Sequence, residues 1–157
     1  MSPDPTANST VDEEFRSLLE GLRTSIPAVQ VLFAFLLTAP LQEGFGRLSN
    51  VERCSFAIAF YASGTASVLL VAPSVHQRLR APFTGVRRHS KRHLIWATWL
   101  GILGSLSALL AVSATVFLVS DVVFDTAVAS VATTAMAVLA CWSWLFLPMV
   151  TFRTSDR

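Results

Sequence analysis

Residues 94–120 read LIWATWLGILGSLSALLAVSATVFLVS, an apolar run without one charged side chain. A hydrocarbon layer about 30 Å thick takes about 20 residues of α-helix, and inside it backbone N–H and C=O groups must be satisfied within the segment. A run of this length and character reads as a membrane-spanning helix. Three more stretches meet the same requirement, residues 24–42, 54–72 and 127–150. The first is the weakest, with Pro27 and Pro40 near its ends and Gln30 inside. Its strong hydrophobes, among them Leu32, Phe33, Phe35 and Leu36, each favour insertion by about 0.3–0.6 kcal/mol and together outweigh one uncharged amide. The expected fold is therefore all-α, a membrane-embedded antiparallel four-helix bundle.

Composition excludes the alternative of a water-soluble globular domain. Hydrophobic residues make up 53% of the 157 and charged residues 14%, where a soluble domain carries about 25% charged. Of the twelve Lys and Arg, six (Arg78, Arg80, Arg87, Arg88, Lys91 and Arg92) sit in the connection between the second and third spans. Short connections rich in Lys and Arg are retained on the cytoplasmic side. That orients the chain as a multi-pass protein of the cell membrane, with both termini cytoplasmic and the connections near Arg47 and near Asp121 outside. The tryptophans give the same direction, because these side chains favour membrane interfaces and Trp96, Trp99, Trp142 and Trp144 all fall toward the basic side. The same six cations attract anionic headgroups at about 1 kcal/mol each. The expected partners are thus anionic lipids of the cytoplasmic leaflet and further copies of the chain, not nucleic acid.

The polar, acidic start has neither the basic region nor the apolar run of a secretory signal peptide, so the first hydrophobic segment is expected to stay in the mature protein. Residues 1–10 (MSPDPTANST) are too poor in apolar side chains to order themselves. From there Thr10 and Glu13 have capping-box spacing, and Val11, Phe15, Leu18, Leu19, Leu22 and Ile26 follow at helical intervals. Residues 11–23 then form an amphipathic helix on the inner leaflet that turns into the bilayer near Pro27, or else one long helix kinked at Pro27. Pro40 and Pro73 are the other expected kinks. Cys54 and Cys141 fall at different depths, which argues against a disulfide.

The segments FRSLLEGLRTSIPAVQVLFAFLLTAPLQ (15–42), LLVAPSVHQRL (69–79) and FLVSDVVF (117–124) together resemble a family of small bacterial four-span membrane proteins of unknown function. The resemblance covers residues 14–148. It implies the four-span topology and marks Glu20, Arg23, Pro27, Gln30, Pro40, Pro73, His76 and Asp121 as characteristic polar or kinked positions. It implies no catalytic role for any of them.

Several chemistries have no residues to carry them. Proton-coupled transport needs an ionisable group at depth, and no Asp, Glu, Lys, Arg or His lies in the central part of any span. Haem ligation needs histidine inside the bundle, whereas His76, His89 and His93 fall in or beside the basic connection. A metal held by His89 and His93 is opposed by Arg87, Arg88, Lys91 and Arg92 around them. No C-x-x-C is present for thiol redox chemistry, and no nucleophile with its base is evident, so the chain reads as a non-enzyme without cofactor or metal.

The polar positions that stay open are few. Gln30, with Arg23 seven residues earlier on nearly the same face and Glu20 beyond it, reads as an interhelical contact, to a neighbouring helix or another protomer, or as a pore-lining group. Asp121 and Asp125 lie at the expected outer mouth, where they gather cations or cap the fourth span, the cap being the favoured reading. Small and weakly polar residues recur at intervals of four, as Ala97, Gly101 and Ser105 with Gly104 and Ala108 beside them, as Ala129, Thr133, Ala137 and Cys141 beside Ser130 and Thr134, and as Ser63 with Ser67. Such stripes let helices approach closely in lipid. Two functions fit these features: a homo-oligomeric passive pore or transporter for ions or small solutes, or an accessory, scaffolding subunit of a larger membrane complex.

Overall fold

The computed structural model describes residues 5–84 and 91–146. The chain is all-α, with four long helices, α1 (Pro5–Thr38), α2 (Asn50–Thr84), α3 (Lys91–Val123) and α4 (Thr126–Cys141), and among the described residues there is no strand. Two short 3-10 turns, Ala39–Leu41 and Glu43–Arg47, join α1 to α2, and a π-helical turn, Trp142–Phe146, continues α4. Each helix holds a segment long and apolar enough to cross a membrane: Leu19–Leu41, Asn50–His76, Ile95–Val123 and Thr126–Trp144.

Element boundaries follow from local chemistry. Residues 5–10, expected to lack order, open α1, and Thr10 and Glu13 lie inside that helix and not at its start. The amphipathic segment and the first span are one continuous helix that runs through Pro27. Just before it, the hydroxyls of Thr24 and Ser25 donate back to the carbonyls of Glu20 and Gly21 at 3.3 and 3.2 Å. Pro40 acts differently. It sits in the 3-10 turn after Thr38, where α1 ends, because its ring clashes with the preceding turn and it offers no N–H to extend the helix. Pro73 is buried inside α2, which continues to Thr84, well past the end expected near residue 72.

At the other end of α2, Ser49 and Glu52 form a reciprocal capping box. The Glu52 N–H donates to Ser49 Oγ at 3.2 Å and the Ser49 N–H donates to the Glu52 carboxylate, which satisfies two of the donors every helix start leaves open. Between α3 and α4, the Phe124 N–H closes onto Ser120 O at 2.9 Å and Asp125 adopts an extended conformation that breaks the helix.

The chain divides into two compact units, Met1–Ala34 with Ser63–Ala108 and Phe35–Ala62 with Leu109–Arg157. In the first, Leu22, Val29, Ala66, Leu70 and Ala108 form a buried cluster with Ile26 against it. Gly104 makes the closest approach: a Cβ there would lie 2.8 Å from Cγ and Cδ2 of Leu70, and Leu70 is only 1% exposed. Gly64 lies under the Phe33 ring at 3.4 Å and Gly101 beside Leu22 at 3.6 Å, measured the same way. In the second unit the buried apolar side chains are Leu36, Ala59, Ala62, Ala111, Leu118 and Ala129. Phe45, Phe56, Phe60 and Tyr61 make a run of ring contacts there, with successive centroids 4.9, 5.9 and 5.5 Å apart.

Candidate functional site

The residues singled out in the sequence fall on three places. The first is α1. Glu20, Arg23, Pro27 and Gln30 are all exposed, while Leu22 and Val29 on the same stretch are buried. Gln30 stands eleven residues from each end of the Leu19–Leu41 segment, so about 16 Å of helix separates it from either end. In water an exposed amide is unremarked. At the midplane of a bilayer it has no solvent to bond, and the chain leaves it facing outward.

The second place is the α3–α4 turn. Asp125 is the N-cap of α4, its Oδ1 accepting from the Val128 N–H at 2.8 Å, and Asp121 Oδ1 accepts from the Thr126 hydroxyl at 2.8 Å. Both carboxylates are engaged in folding the turn, Asp125 by satisfying a backbone donor that the helix start leaves open and Asp121 by holding the Thr126 hydroxyl.

The third place is the basic connection. Arg78 and Arg80 belong to α2 and Lys91 and Arg92 to the first turn of α3, so the expected loop is largely helical backbone. Arg87, Arg88 and His89 lie outside the described residues, as do residues 147–150 of the expected fourth span. His76 is exposed in α2, not at its end, and its Nδ1 lies 2.8 Å from the Ala72 carbonyl.

Other features had a weaker sequence signal. Arg53 donates from Nε to Leu48 O at 3.2 Å and from its terminal guanidinium nitrogen to Gly46 O at 3.0 Å, clamping the 3-10 turn onto the start of α2. The S-x-x-E spacing of Ser49–Glu52 is a sequence signal passed over in favour of Thr10–Glu13, whereas the clamp has none, because carbonyl acceptors leave no trace in side-chain identity. Thr133 Oγ1 is buried without a hydrogen-bond partner among the described residues. Two neighbouring hydroxyls of α4 back-bond to their own helix, Ser130 to Thr126 O and Thr134 to Ser130 O, each at 2.7 Å. A wide-open apolar groove on α4 is lined by Ala137, Val138, Cys141 and Trp142. Cys54 and Cys141 are free and exposed. Among the described residues no three of His, Cys, Asp or Glu gather where a metal would be held.

The exposed faces are mostly apolar. Val31, Phe35, Val68, Trp96, Trp99, Leu110, Val131, Leu139 and Trp142 are each more than half exposed, a surface that water does not tolerate over four helices and that lipid does. An all-α chain with four such helices defines the class: a small multi-pass membrane protein. Within that class the chain belongs to a family of unknown function (DUF6328), whose family model matches residues 4–148. No curated protein and no solved structure matches it.

Proposed function

We propose that the protein is a homo-oligomeric passive pore or transporter for ions or small solutes in the cell membrane, with both termini and the Arg78–Arg92 connection on the cytoplasmic side. The observation that carries the reading is the exposed Gln30 amide at the middle of an apolar segment. A polar group held at that depth and turned away from its own chain is useful where copies meet or where water enters. The uncharged character of the spans supports passive passage rather than proton-coupled exchange, and the chain acts without enzymatic chemistry or cofactor. Arg78, Arg80, Arg87, Arg88, Lys91 and Arg92 contact anionic lipid and fix the orientation.

The test is solute and ion flux through liposomes that contain the purified protein. Flux is expected, and Gln30→Leu is expected to change it. A purified, oligomeric preparation that passes neither ions nor small solutes removes the pore reading. Co-purification from native membranes with a fixed partner then supports the accessory-subunit reading, which the exposed faces of α1 and α4 also suit.

A further inference from the structure

α1 carries two seams. Leu22, Ile26, Val29 and Phe33, spaced four, three and four apart, face the first unit's interior, the first and third buried and the others partly so. Glu20, Arg23, Pro27, Gln30 and Ala34 are spaced three, four, three and four, and every one of them is exposed. At 100° per residue the second seam lies about 110° around the helix from the first. This alternation of threes and fours is what keeps two supercoiled helices in register along their length.

We propose that the outward seam of α1 is occupied by the same seam of a second copy, in a parallel, two-fold symmetric pair whose Gln30 amides hydrogen-bond reciprocally across the axis. Three features of the seam select a second copy. An amide is both donor and acceptor, so it is its own complement. Copies inserted with the same orientation run parallel and place equal residues at equal depth, so Gln30 meets Gln30. At one end, Glu20 is level with Glu20 and Arg23 with Arg23, but the two layers are only about 4.5 Å apart along the axis, so the exposed carboxylate of each copy reaches the exposed guanidinium of the other. Pro27 and Ala34 complete the seam with little bulk, which permits the backbones to approach. The pairing deepens the oligomeric part of the function proposed above and does not require that the assembly conduct.

The experiment uses the full chain in liposomes, with Cys54→Ser and Cys141→Ser removing the free thiols and one cysteine introduced at a time. Under a membrane-permeant oxidant, Ala34→Cys on the seam is expected to give a disulfide-linked dimer, while Ala28→Cys, exposed on another face, stays monomeric. Adding Gln30→Leu to the Ala34→Cys chain is expected to weaken association by roughly three- to twentyfold at a fixed protein-to-lipid ratio, whereas Gln30→Asn, which keeps an amide, retains it. Equal cross-linking at residues 28 and 34, none at 34, or no loss with Gln30→Leu overturns the pairing. So does a purified chain that is monomeric and occupies this seam only with a different protein. Flux measured on the same liposomes separates the two proposals: cross-linking at Ala34→Cys without flux removes the pore and leaves the seam.

Discussion

At the scale of single residues, the glycines of α3 differ in what they allow. Gly104→Ala drives a methyl into Leu70, whose side chain is buried and has little room to retreat, and is expected to cost about 1–3 kcal/mol. Gly101→Ala makes only ordinary contact with Leu22 and is expected to be close to neutral. Unfolding in mixed micelles of graded denaturing-detergent content checks the contrast, and equal losses at both positions would refute the close approach. Thr133 gives the opposite sign. Its buried hydroxyl lacks a partner among the described residues, and an unsatisfied buried hydroxyl costs about 1–3 kcal/mol. Thr133→Val, which keeps the shape, is expected to leave stability unchanged or raise it in the same assay, and a clear loss would mean the hydroxyl is bonded. The sequence marked both residues as members of small stripes. It did not separate Gly104 from Gly101, because the distinction lies in what stands opposite each, Leu70 of α2 or Leu22 of α1.

At the scale of elements, the spans were legible because hydropathy over about 20 residues is a property of the segment alone, and all four expected spans overlap observed helices. The ends were less legible. In the sequence Pro27, Pro40 and Pro73 read as kinks, with a turn or one long helix left open at Pro27; α1 and α2 run on through Pro27 and Pro73, whereas Pro40 stands where α1 stops. Proline forbids one backbone bond, and whether the helix survives depends on the surroundings of that turn and not on the proline alone. The α3 stripe read at intervals of four alternates four and three: Ala97, Gly101, Gly104, Ala108 and Ala111 are buried, with Leu118 seven residues further on. That is the periodicity of helices that stay in contact over their length, which a fixed interval of four would lose. The connection between α1 and α2 depends on Arg53. Arg53→Ala is expected to release the Gly46 and Leu48 carbonyls and to speed amide hydrogen exchange across residues 43–48 while the α2 midsection keeps its protection. Unchanged exchange in that turn would show that the ring contacts of Phe45 with Phe56 suffice to hold it.

At the scale of the whole molecule, the fold class and the family were within reach of the sequence, while the site was visible only as a set of polar exceptions. The structure sorts those exceptions. Asp121 and Asp125 are occupied in the α3–α4 turn, His76 lies against its own helix, and Gln30 is left exposed on α1 with Glu20 and Arg23 on the same seam. Which face of α1 is free depends on how the other helices pack, so no reading of α1 alone would have found it.

The account as a whole rests on the chain crossing the bilayer four times with its cation-rich connection in the cytoplasm. Single-cysteine labelling tests this with Cys54→Ser and Cys141→Ser as background. Gly44→Cys, at a position with nothing within 4 Å of the added Cβ, reports on the α1–α2 connection, and Ser90→Cys reports on the basic one. A membrane-impermeant maleimide is expected to label Gly44→Cys on intact cells and Ser90→Cys only after the membrane is opened. Labelling of Ser90→Cys from outside, or of both positions from the same side, would contradict it.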